Sequence, residues 1–385
     1  MLHSLNGVRV LAEFSVVHLH LNNNARNNLP LALFARDVMS FFFVLSGFVC
    51  MLSNKATVFS NTGAKPSFYY RRISKFYPFY LMIWTIDFMR QVFTTNYSSG
   101  CLPYLLCHVS QPFLLNVWMG CGFRIVSVPA WYMAVLFWIW MVFPYVQPII
   151  LWGFESRPWS KIILLSCMAT ACIFPLIPFG YQAIAMLPPL RMLEFVIGCI
   201  TATTIQTRLH WGWPAISVII LIGFHVMQYY VFVHQPDLCY NEPDFTCSLW
   251  SFLVPGPATN PCVPWMGIYF NKFALLWAVL IHWLASSEYL EIKGRLGLLL
   301  ENCTILRTLS MFSLHLYLGH NTVWGIMDEI SKRAHFQDQV DMDISMIATY
   351  MGCYLLYLYV QPILDRLLTI LCCQSIKDNP SLDGV

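Results

Sequence analysis

Three ionisable side chains stand at helical spacing near the start of the chain: Arg9, Glu13 and His20. At about 100° per residue, the eleven steps from Arg9 to His20 make three turns plus about 20°, so both project from one stripe of a helix. Glu13, four residues after Arg9, lies on the same stripe and is spaced to pair with it. An imidazole above such a pair is suited to take a proton from a hydroxyl near neutral pH, the work of a general base. The same spacing also fits a purely structural Arg9–Glu13 pair with His20 reaching a membrane interface. His18 points to another face and reads as an interfacial histidine.

The second cluster is cationic. In the run Tyr69-Tyr70-Arg71-Arg72-Ile73-Ser74-Lys75-Phe76-Tyr77-Pro78, Arg72 and Lys75 are three apart, neighbours on one helical face with Arg71 beside them. Arg can hold phosphate oxygens bidentately and Lys as a point charge. The alternative is a basic anchor flanking a membrane span that opens at Pro78.

The frame that must position these groups is apolar. Of 385 residues, 58% are hydrophobic and 11% charged, against about 45–50% and about 25% in soluble domains. Such a chain needs lipid as its solvent. The net charge of +3, with no basic stripe, points away from a nucleic-acid partner. Stretches long enough to span a bilayer lie near 5–22, 37–54, 77–95, 129–152, 161–179, 186–206, 213–233, 266–286, 306–327 and 344–371. The expected fold is therefore an all-α transmembrane bundle of about ten spans, a single membrane domain over 1–385 with 373–385 as a tail. Residues 101–119, broken by Pro103, His108 and Pro112, read as a re-entrant or interfacial segment. The first segment lacks a basic n-region and a cleavage site and is expected to be a retained helix.

Lys55, Lys65, Arg71, Arg72 and Lys75, five of 22 basic residues, fall between the second and third stretches. The Lys/Arg bias places that loop, and with it both termini, in the cytosol. Asn96-Tyr97-Ser98 would then face the lumen or exterior, and Asn302-Cys303-Thr304 the cytosol. Cys239, Cys247 and Cys262 share one lumenal loop where a disulfide is plausible, its pairing open; Cys372-Cys373 is a candidate for palmitoylation. No cysteine or histidine group has metal-site spacing, so no metal is expected.

Several blocks, in order, resemble the acyltransferase-3 family of polytopic membrane acyltransferases, its eukaryotic branch most. Leu5-Asn6-Gly7-Val8-Arg9 leading to His20 is similar to its opening block. Phe42-Phe43-Val44-Leu45-Ser46-Gly47-Phe48 reproduces its second block without a change. Arg72 and Lys75 correspond to its Arg-x-x-Arg, and Pro129-Ala130-Trp131 to its Pro-x-Trp. Arg191 through Glu194-Phe195 to Gly198 resembles its Arg…Glu-Phe…Gly helix, and Ser313 through Leu316-Tyr317 to His320 its Ser-x-x-Leu-Tyr-x-x-His block. The blocks run from residue 5 to residue 362. Departures are Val10 for a usual Gly, Ser40 for an aspartate, Lys75 for the second Arg, Tyr132–Phe137 without the usual Ser and Glu, and Gln361-Pro362 for Glu-Pro.

The resemblance implies transfer of an acyl group, acetyl being the expected one, from an acyl-CoA co-substrate to a hydroxyl of a carbohydrate, lipid or other small acceptor. No permanently bound cofactor is expected. Arg72, Lys75 and Arg71 would receive the donor's phosphates, Arg9 would sit along the same route, and the catalytic set would be His20, as general base or acyl carrier, with Arg9 and Glu13. Arg191, Glu194 and His320 are implied as acceptor-pocket residues. The expected home is an endomembrane or the plasma membrane. Two other readings follow from the residues: a small-molecule transporter, since polar groups within spans also line permeation pathways, and an inactive family member that binds acyl-CoA or lipid, since two family carboxylates are missing. The transporter lacks the paired Gly/Pro-broken spans of an inverted repeat.

Overall fold

The computed structural model describes residues 3–22, 30–61, 63–94, 102–119, 129–154, 157–173, 187–234, 273–292, 295–334 and 340–377. Among them are helices and turns and no strand. The helices are α1 (His3–Asn22), α2 (Pro30–Asn54), α3 (Ala64–Thr94), α4 (Leu102–Ser110), α5 (Ala130–Phe154), α6 (Pro158–Ile173), α7 (Pro188–Thr203), α8 (Gly212–His234), α9 (Ala274–Tyr289), α10 (Arg295–Asn302), α11 (Thr304–Met311), α12 (Ser313–Ala334), α13 (Val340–Leu355) and α14 (Gln361–Lys377), with a π-helical segment, Leu356–Val360, joining the last two. The expected lumenal cysteines Cys239, Cys247 and Cys262, and the Asn96 sequon, lie outside the described residues.

Among the described residues, two helical stretches, Ala130–Gly153 and Ile347–Ile370, are long and apolar enough to cross a bilayer. The second shows why lipid is needed. Ile347, Met351, Leu355, Leu358, Ile363, Leu367 and Ile370 recur at three- to five-residue intervals, and all are exposed. That apolar stripe extends about 35 Å at 1.5 Å per residue, against a hydrocarbon layer of about 30 Å. Trp152, 89% exposed, continues the pattern at the end of α5.

Two expected spans differ from what the chain forms. The helix near 77–95 begins at Ala64, so Pro78 lies inside α3 and does not open it. Gly63, at φ 87°, supplies the turn into the helix, and Pro66 occupies its first turn. A membrane helix carries an internal proline where neighbouring groups re-satisfy the freed carbonyl. The stretch near 306–327 is two helices, α11 and α12, broken at Phe312. Phe312 is buried, and its ring packs against Tyr354 at 5.2 Å. α11 holds Arg307 at its centre and buries no residue, which suits a short surface helix and not part of a span. α4 ends after nine residues, too short to cross; the turn after it puts Leu114 at φ 59°, and Trp138 Nε1 donates to the Leu114 carbonyl at 2.8 Å.

The chain forms two compact units: Met1–Thr57, Ser99–Ile125 and Trp131–Ser310, and Val58–Ser98, Val126–Ala130 and Met311–Val385. In the first, α2 and α7 cross at near backbone contact. A β-carbon on Gly47 would collide with the Phe195 carbonyl, and one on Gly198 with the Val44 carbonyl. Small residues at a crossing let helix backbones approach, the usual device where lipid supplies no hydrophobic drive between helices. The start of α1 is fixed from α9: Glu288 accepts from the backbone N–H groups of His3 (2.7 Å) and Ser4 (3.0 Å) and from the Ser4 hydroxyl (2.6 Å). A carboxylate there satisfies N–H groups that the helix itself cannot. In the second unit, α12 packs on α13 and α3.

Candidate active site

In the first unit, α1 presents the residues of the opening block. Arg9 Nη2 donates to the Ser310 carbonyl at 2.9 Å, and this contact replaces the expected pairing with Glu13. The reason is geometric: a long guanidinium reaches a helix-end carbonyl, one of the acceptors left without an intrahelical donor. Glu13 is buried and makes its contacts elsewhere. Arg9 also lies within Coulombic reach of Tyr132. His20 stands in the last turn of α1, partly buried. His18 stacks on Phe14, rings 6.0 Å apart.

The other blocks of the first unit converge around α7. Arg191 Nη1 and Glu194 Oε2 are 2.7 Å apart, with side chains 1% and 0% exposed. The guanidinium lies over the rings of Phe43 (5.1 Å) and Trp131 (6.0 Å), and Ser40 sits beside the carboxylate. Tyr132 shares a hydrogen bond with Ser46 at 2.8 Å and packs on Phe43 at 4.9 Å. Three sequence-distant blocks thus meet in one place. Tyr132, noted as a departure, closes onto Ser46 of the second block.

The second unit carries the cationic run. Arg71 and Lys75 are exposed on the first half of α3, and Arg71 Nε donates to the Ser67 carbonyl on its own helix. Arg72 lies over the Phe68 ring at 5.6 Å. Neither Arg71 nor Lys75 forms an ion pair among the described residues. His320 is buried within α12, its Nδ1–H donating to the Leu316 carbonyl at 3.0 Å.

Two clusters in this unit escaped the sequence reading. Thr322 donates to buried Asp87 at 2.8 Å, with Arg90 3.8 Å from Asp87 and 3.6 Å from Glu329. A β-carbon at Gly325 would strike Arg90, so the glycine gives the arginine its passage. Charges three apart inside the expected span 77–95 were the available signal. The other cluster joins His315, Gln361 and Asp365. Its signal was weak, since its members lie on different helices.

A family model described as an acyltransferase domain, that of acyltransferase-3, matches residues 2–366. The chain belongs to the acyltransferase-3 family. No curated protein and no solved structure matches it. As an acyltransferase-3 protein it is a transferase that moves acyl groups, and the exposed apolar helices fit the membrane setting of that family.

Proposed function

We propose that this protein is a membrane O-acyltransferase that moves an acyl group, acetyl as the expected one, from acyl-CoA to the hydroxyl of a carbohydrate, lipid or other small acceptor. The observation that carries the donor assignment is the cationic end of α3. Arg71 and Lys75 are exposed there with no ion pair among the described residues, and Arg72 stands between them in the sequence. Exposed cations at this spacing suit a polyanionic phosphate group.

About ten spans with both termini cytosolic would put that end on the side where coenzyme A is found. Cys107 of α4 is disulfide-bonded. Disulfides belong to oxidising compartments, which supports a lumenal or exterior place for the segment after α3. Arg9 to His20 covers about 16 Å of the α1 axis at 1.5 Å per residue, an interval an extended pantetheine arm can bridge. In the transfer, the acceptor oxygen attacks the thioester carbonyl as His20 takes its proton. The C–S bond breaks, and the coenzyme A thiolate leaves and picks up a proton. In the variant path the His20 ring carries the acyl group between the two partners.

Acetyl-CoA binding to detergent-purified full-length protein tests this. Arg72→Ala/Lys75→Ala is expected to lose binding at least tenfold, about 1.4 kcal/mol or more. His20→Ala is expected to keep binding and lose transfer. Failure of the wild type to bind acetyl-CoA overturns the donor assignment.

A further inference from the structure

His315, in the first turn of α12, is 5% exposed and has no part in the reading above. Its Nε2 lies 2.8 Å from Gln361 Oε1, and Gln361 Nε2 donates to Asp365 Oδ1 at 2.8 Å. A carboxylate oxygen only accepts, so the amide turns its NH2 to Asp365 and its carbonyl to His315. That carbonyl also only accepts, so the imidazole proton sits on Nε2. Nδ1 is left as a bare acceptor, buried and with no hydrogen bond among the described residues. Buried polar atoms are rarely left unpaired, because desolvation is then uncompensated. An orphan acceptor in a membrane helix is a place for a ligand's donor group.

The ring is held from three sides. Phe79 of α3 meets it edge-on at 4.5 Å, and Tyr357 at 5.2 Å. Tyr357 lies in the π-helical segment Leu356–Val360, which ends at Gln361. Pro362, with no N–H, cannot donate to the carbonyl one turn back, and the wider π turn sits where that ladder is broken. π segments of this kind gather at functional sites.

The place of the ring suggests the ligand. Phe79 is seven residues after Arg72, about 700° round the helix, so the two share a stripe of α3 within about 20° and are about 10 Å apart along it. A ligand reaching both carries negative charge at one end and an N–H or O–H donor a short distance along. We propose that His315 Nδ1 accepts a hydrogen bond from an amide N–H or the hydroxyl of the pantetheine arm of an acyl-CoA whose phosphates rest on Arg72 and Lys75. This rests on the donor reading above. It also gives Gln361 a purpose. A glutamate there, as the family typically has, would favour the imidazolium, whose Nδ1–H donates and would repel the same ligand group.

The test compares acetyl-CoA with adenosine 3′,5′-bisphosphate, which has phosphates but no pantetheine, on detergent-purified full-length protein. His315→Asn keeps an acceptor oxygen where Nδ1 stood; His315→Gln keeps the contact with Gln361 and loses that acceptor. The expected result is acetyl-CoA affinity down about tenfold in His315→Gln, the factor for one hydrogen bond. His315→Asn should stay within about threefold of wild type, and the bisphosphate should bind all three alike. Equal acetyl-CoA affinity in His315→Gln and wild type overturns the proposal and leaves the donor reading standing. Equal loss of both ligands also overturns it, since His315 would then only support the fold. Wild-type protein that binds neither ligand overturns the donor reading itself.

Discussion

The Arg191–Glu194 pair of the first unit and the His315–Gln361–Asp365 chain of the second both bury ionisable groups against aromatic rings. They differ in how their members are joined. Arg191 has a carboxylate on its own helix at 2.7 Å, two aromatic faces beside it and a glycine-tight helix crossing close by. His315 has one nitrogen anchored through an amide to a carboxylate and the other unclaimed. A direct ion pair on one helix holds its two charges to each other, whereas the relay from His315 ties two helices together through one ring nitrogen.

If this contrast is right, variants in the ion-paired clusters change thermal unfolding in detergent, while those at His315 separate one ligand from another. The largest effect is expected from Glu194→Ala, which strands a buried guanidinium at a cost of about 3–5 kcal/mol. Arg191→Met/Glu194→Leu should recover most of that loss, because well-packed apolar residues can replace a buried pair. A Glu194→Ala protein that melts like wild type but no longer acylates its acceptor would return the pair to the acceptor pocket. Next come Gly47→Ala and Gly198→Ala, expected at or above the upper end of the ~1–3 kcal/mol range for overpacking because a backbone carbonyl blocks the new methyl. A normal melting profile for either would show that the crossing can open. The smallest is Thr322→Val, which removes a hydrogen bond to a buried carboxylate and should lower stability by about 1.5–3 kcal/mol. It marks the ion-paired cluster of the second unit, and unchanged melting would mean that Asp87 finds another donor.

Much of the framework was legible because apolar runs declare themselves. The stretch 5–22 forms α1 at His3–Asn22, and 129–152 forms α5 at Ala130–Phe154. What periodicity cannot give is the choice of partner. Arg9 and Glu13 have pairing geometry, yet Arg9 bonds to a carbonyl 301 residues away. Gln361 reads in sequence as a lost carboxylate and proves to be the link between His315 and Asp365. Pro78 carries a helix-start signal, but Gly63 and Pro66 start that helix earlier. The second block and the Arg…Glu-Phe…Gly helix were read separately, one for recognition and one for a pocket. In the structure Gly47 and Gly198 make each block the other's packing surface.

The carboxylate that fixes the first turn of α1 belongs to residue 288, and its acceptors bind donors on His3 and Ser4. At about 5–20 residues per second, a ribosome needs some tens of seconds to travel that distance. The helix bearing His20 is therefore synthesised well before its anchor. Through that interval its leading amides have no internal acceptor, and whatever receives the nascent chain must tolerate them. A chain arrested before residue 288 lacks the anchor of α1.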